Sequence, residues 1–221
     1  MSLPGPVDLL VEPEDDSELP RIARLAREMG YVGLGVELGH YDPMRKAGAS
    51  ANFQVYPVLK VIASGKGEVA KALSRAPGRA LVMVLPRGLE AYRYAARARR
   101  VDLVQAVPRA GLMPDRSTLN LFRAREGGAL TLPLRPLLDG EMDLGDVREV
   151  ALRALRRGIR LVIVSGARRA EELWHPSQVI GLLASLGLPP AFGLLALTSG
   201  PGFVLSRRGL AAPKGVLAEG P

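Results

Sequence analysis

Short, largely apolar runs return along this chain at regular intervals, separated by stretches whose apolar residues recur at helical spacing. That alternation constrains the fold more than any other feature of the sequence. Such runs fall at 7–11, 31–38, 53–62, 80–85, 101–107, 129–134 and 159–164. A strand with one wet face alternates apolar and polar residues, so a largely apolar run reads as a parallel strand covered on both faces. Between them, Leu19, Ile22, Ala26 and Met29 mark a first helix closed by Gly30. Segments 68–75, 89–99 and 117–126 read as further helices, and Val147, Val150, Ala151, Ala154 and Leu155 form one stripe with Arg148, Arg153 and Arg156 off it. Residues 39–51 read as a Gly- and Ser-rich loop.

Seven or eight strand–helix units with right-handed crossovers suggest an α/β fold, a TIM-barrel-like (β/α) barrel of mostly parallel strands. An open doubly wound sheet is the runner-up, and the stretch after Pro201 is an ambiguous eighth strand. At 221 residues the chain suits a single barrel domain over 1–221, with a tail from about 209 to 221 expected to be disordered. Hydrophobic residues make up 48% and charged residues 24%, a balance that suits a packed core rather than a disordered chain. No apolar stretch is long enough for a membrane span, and the first residues lack a basic-then-apolar leader, so a cytoplasmic location is expected. Zero cysteines remove disulfides, thiolate catalysis and Cys-based metal sites.

Charge is the second constraint. A net charge of +8, carried by 25 Arg and 5 Lys, favours a polyanionic partner, because groups that neutralise phosphates release counterions. Guanidinium forks suit phosphate oxygens and base faces, although a GC-rich genome would also raise Arg. The excess is uneven: residues 87–125 hold nine Arg against Glu90, Asp102 and Asp115, and residues 153–169 hold six Arg and no acid. In a barrel the loops after the strands build the functional face. Arg87, Arg109, Arg135, Arg168 and Arg169 follow strand runs and would form a phosphate-gripping rim, or stand as ordinary solvated arginines. Aromatic residues are only 5%, which favours backbone or shape recognition over base stacking.

Enzyme readings are thin. His40 and His175 are the only histidines, too few for a multi-histidine metal site, and no metal or other cofactor is expected. The alternative is a phosphosugar-binding barrel enzyme in which Ser165-Gly166-Ala167 and Ser199-Gly200-Pro201-Gly202 cup a phosphate and Glu12, Glu37 or Lys60 acts as base. Two Gly-rich turns explain the same residues.

The segment Leu132-Pro133-Leu134-Arg135-Pro136-Leu137-Leu138, followed by Val164-Ser165-Gly166-Ala167, His175-Pro176 and Gly187-Leu188, resembles the RNase P protein component 3 family, the thirty-kilodalton archaeal and eukaryotic subunit. Arg93-Tyr94, Val101-Asp102, Arg109 and Asp115 fall where that family has the same residue types, so the likeness covers roughly residues 80–208. It implies a barrel related to the polymerase and histidinol phosphatase superfamily without its metal site. It also implies a ribonucleoprotein that removes 5′ leaders from precursor tRNA, catalysis by ribonuclease P RNA, and pairing with a smaller RNase P protein. The family's basic residues carry over to Arg93, Arg109 and Arg135, and Arg87, Arg116, Arg168 and Arg169 join them as candidate RNA contacts. Arg116 stands where the family commonly has His, and Trp174-His175-Pro176-Ser177-Gln178 replaces a more basic pattern. The N-terminal third resembles the family poorly, with Asp8 alone carried over as a remnant of its first strand.

Overall fold

The computed structural model describes residues 5–50, 53–113, 115–124 and 128–210. Seven strands, β1 (Val7–Val11), β2 (Gly33–Glu37), β3 (Gln54–Ala63), β4 (Leu81–Pro86), β5 (Leu103–Gln105), β6 (Ala129–Pro133) and β7 (Leu161–Val164), lie side by side in chain order. Every neighbouring pair is parallel. Parallel neighbours need a crossover, and α1 (Leu19–Glu28), α2 (Tyr41–Ser50), α3 (Lys66–Arg75), α4 (Leu89–Arg97), α5 (Arg116–Ala124) and α7 (Leu144–Arg157) supply it. The one-turn α6 (Arg135–Leu138) follows β6 at once, and α8 (Pro176–Ser185), α9 (Pro190–Leu197) and α10 (Ser199–Arg207) follow β7.

An unreversed strand order curls the sheet until β1 meets β7, which sets aside the open doubly wound sheet. The junction is incomplete as a ladder. At the upper end, where strands terminate, Val11 bridges Ala167, Gly166 N donates to Leu10 O at 3.0 Å and Glu12 N to Ala167 O at 2.8 Å. Just below, both carboxylate oxygens of Asp8 accept from Ser165 N at 3.1 Å, so a side chain does the work of a ladder bond.

Strand alternation splits each apolar run between two cores. Val7, Leu9, Tyr56, Val58, Leu81, Met83, Leu103, Ala129, Val162 and Val164 fill the barrel, joined by Val204 and Leu205 of α10. Val82, Val84, Val104, Leu130, Leu132 and Ile163 face outward onto Ala91, Tyr92, Ala95, Val147, Val150 and Ala151 of α4 and α7. Most strand residues are buried on both faces, which explains why the strands read as largely apolar stretches.

Two expectations change. The 39–51 loop contains α2, whose Met44 is fully buried beside α1 residues, with Tyr41 and Ala47 packed on the same cluster. The stretch after Pro201 is helical: α10 buries Gly200, Pro201, Gly202, Val204 and Leu205 and plugs the lower end of the barrel, where strands begin. Gly200 is required there, since a Cβ would lie 2.7 Å from Leu161 O. Of the expected tail, Gly209 takes a left-handed turn and Leu210 packs on the inner core; residues 211–221 lie outside the described residues. Among the described residues no helix is long and apolar enough to cross a membrane.

Candidate nucleic-acid interface

The barrel brings six of the seven candidate arginines to its upper end, five of them by the same route: a buried strand ends and the next residues turn outward. Arg87 follows β4, Arg109 lies in a 3₁₀ turn after β5, Arg135 opens α6, and Arg168 and Arg169 follow β7. Arg116 opens α5, while Arg93 sits along α4. Their guanidinium groups differ in what they already hold.

Arg135 is the most engaged. Its Nε donates to both oxygens of Asp139 at 2.9 Å, its Nη1 pairs with Glu172, and its side chain is 16% exposed. Arg169 donates to Glu14 at 2.7 and 2.9 Å, tying the loop after β7 to the loop after β1. Arg109 Nη1 donates to Gly140 O at 2.6 Å, with Asp146 at 3.8 Å. Arg93 stands 3.6 Å from Asp115, whose carboxyl is pushed down to about 2 by hydrogen bonds from Thr118. Arg87, Arg116 and Arg168 are exposed, and their side chains pair with no acid among the described residues.

Inside the mouth, inward positions turn polar as the apolar core ends. Lys60 of β3 pairs with Glu12, both mostly buried, so neither is a free base. Across the mouth, a cavity of about 440 Å³ is lined by Leu85, Arg87, Gln105, Arg109, Pro133 and Met142. The two histidines lie apart in role: His40 contacts Asp16 at 2.8 Å, and His175 caps α8 through Ser177 N. Among the described residues no group of three His, Cys, Asp or Glu is arranged to hold a metal ion. The phosphate cup imagined from two Gly-rich loops does not form: Ser165 is buried at the upper end, its Oγ accepting from Ala167 N, while residues 199–202 are in α10 beside the start of β7.

At the lower end a cluster appears that charge counting missed. Asp102, fully buried before β5, accepts from Arg208 Nε at 2.7 Å and Val82 N at 2.8 Å, with Arg100 and Arg207 each at 3.6 Å. Burial, and the neighbouring guanidinium of Arg208, push Arg100 below the usual arginine range. The pairing joins residues more than a hundred apart, so only the curl of the chain reveals it.

A profile of the family described as RNase P subunit p30 matches residues 5–211. The chain belongs to that family. The match reaches further than the resemblance read from motifs, taking in the N-terminal third. Ribonuclease P protein component 3 of Aeropyrum pernix is 27% identical over 195 residues, covering 86% of this chain and 92% of the relative. A chain of the cryo-EM structure of archaeal ribonuclease P with mature tRNA superposes with a TM-score of 0.77 at 16% identity, over 97% of this chain and 99% of its own length. A. niger ochratoxinase shares the architecture, aligning with a TM-score of 0.68 at 12% identity, over 91% of this chain and 71% of the enzyme. In this RNase P subunit p30 relative, the mouth where a barrel enzyme would work holds the Glu12–Lys60 pair.

Proposed function

We propose that this chain is a ribonuclease P subunit that binds and stabilises the catalytic RNA, leaving cleavage of precursor tRNA to that RNA. The observation that carries the reading is the family match across residues 5–211, supported by an excess of arginine with few exposed aromatic rings. The RNA is the direct partner, precursor tRNA is met through the holoenzyme, and a smaller RNase P protein is the protein neighbour. The setting is the cytoplasm. The phosphosugar enzyme is not favoured, because its two loops sit at opposite ends of the barrel and its candidate bases include an internal ion pair.

The seven arginines divide by role. Arg87, Arg116 and Arg168 offer unpaired guanidinium groups to phosphates. Arg93, Arg109, Arg135 and Arg169 hold the loops that carry them, through Asp115, Gly140, Asp139 with Glu172, and Glu14. Reconstitution tests the whole reading. Adding the chain to ribonuclease P RNA and the remaining subunits should raise precursor-tRNA cleavage, and the chain alone should cleave nothing. Single Arg87→Ala or Arg168→Ala variants should each lower the slope of log affinity against log salt by about one. Cleavage indifferent to the chain would refute the assignment.

A further inference from the structure

Charge in this barrel is sorted along its axis, and the sorting follows from helix direction. Every crossover helix starts at the upper end and finishes at the lower one. Acids in first turns and bases in last turns complement the helix dipole. Asp42, Glu68, Glu90 and Asp146 accordingly sit in first turns. Arg27, Arg75, Arg97, Arg156 and Arg157 sit in last turns. The upper rim therefore interleaves its arginines with carboxylates. The lower end does not.

There the turns leading into β4, β5 and β7 add Arg79, Arg99, Arg100 and Arg160 to the helix-end arginines. Among the described residues the acids of that end are Glu28, beside Arg24, and Asp102, which is buried and already matched by three guanidinium groups. Arg75, Arg79, Arg99, Arg156 and Arg157 are exposed and meet no side-chain partner among the described residues. The surface is continuous. Arg100 Nη2 donates to Pro77 O at 2.7 Å, Arg207 Nη2 to Arg99 O at 2.7 Å, and Arg160 lies 3.5 Å over the Phe203 ring of α10. Those contacts stitch the turn before β4, the turn before β5, the end of α10 and the turn before β7 into one face.

We propose that this lower end, centred on Arg79, Arg99 and Arg156, is a second phosphate-binding surface of the subunit, apart from the upper rim, and seats a double-helical segment of the ribonuclease P RNA. The inference rests on the RNA-binding reading above and names the face that serves it. A duplex fits better than a single strand because two aromatic rings on this side already carry a guanidinium group: Phe203 carries Arg160, and Tyr94 carries Arg97 at 5.6 Å. Those two rings already carry a cation, whereas guanidinium groups spread over the entries of β4, β5 and β7 suit a backbone read by shape. Asp102 keeps that spread fixed by holding Arg100, Arg207 and Arg208 in place while neutralising only one of their three charges.

The test compares two triple variants of the full chain, Arg79→Gln/Arg99→Gln/Arg156→Gln and the rim set Arg87→Gln/Arg116→Gln/Arg168→Gln. Affinity for ribonuclease P RNA is measured across a salt titration, with thermal unfolding recorded to show that each variant is folded. The lower triple should lose more than tenfold in affinity at low salt, and its log–log slope should fall by about two to three units. An unchanged slope and affinity in the folded lower triple, beside a wild-type chain that binds RNA, overturns this inference and leaves the proposed function standing. A wild-type chain that does not bind the RNA at all defeats both. Loss of assembly with the other subunits while RNA affinity is retained would make the face a protein interface, and also overturns it.

Discussion

Asp8 shows how one residue carries strain inside a stable seam. Its carboxyl is buried between β1 and β7 and accepts from Ser165 N and Leu10 N at 3.1 Å, yet burial outweighs those bonds and pushes its pKa up to about 6. An unfolded aspartate titrates near 3.8, so the folded protein holds this proton more tightly than the unfolded chain does. The resulting stabilisation is complete below pH 4 and is lost as pH rises through about 6. Urea unfolding between pH 4 and 8 should therefore show this contribution falling by up to about 3 kcal/mol. Asp8→Asn, which keeps an acceptor for Ser165 N without the titration, should flatten that part of the profile. Equal pH dependence in both proteins would remove the argument.

At the scale of elements, close approach of β1 and β2 depends on a missing side chain. A Cβ on Gly35 would stand 2.3 Å from Leu9 O, inside any allowed contact, whereas one on Gly39 would meet nothing within 4 Å. Gly35→Ala should cost about 1–3 kcal/mol by forcing the strands apart, and Gly39→Ala should be close to neutral by the same denaturation measurement. The strands were readable from sequence because burial on both faces leaves few polar residues in each run, Asp8, Gln105 and Thr131 being the buried ones within strands. Helix α2 was not, since Gly48 and small residues hide a packing stripe of three side chains, Tyr41, Met44 and Ala47. Helix α10 misled for a related reason. Pro201 and Gly202 read as turn signals, but Pro is tolerated in a first turn, and glycines there let the helix press against the start of β7.

For the molecule as a whole, the sequence disclosed that arginines crowd certain segments but not which end of the barrel each would reach. The block 153–169 reads as one patch along the chain; in space Arg156, Arg157 and Arg160 go to the lower end and Arg168 and Arg169 to the upper, because β7 runs between them. Nor could local sequence show that Asp139, Glu14 and Glu172 would claim the rim arginines, since two of those pairings span 37 and 155 residues. The same long-range closure makes Asp102 the point on which the lower end turns. Its carboxylate, with 1% side-chain exposure, is the shared counterion of Arg100, Arg207 and Arg208, and the last two belong to the end of the helix that plugs the barrel. Asp102→Asn would leave three crowded guanidinium groups without a charge to answer them, a loss of the kind that costs about 3–5 kcal/mol when one partner of a buried pair is removed. The damage should be local first. Amide exchange should accelerate across residues 199–210, where α10 depends on the anchor, while β2 and β3 keep wild-type protection. Uniform acceleration throughout the barrel would mean that the carboxylate supports the whole sheet rather than the plug, and protection unchanged at 199–210 would mean that apolar contacts of Val204 and Leu205 hold the helix without it.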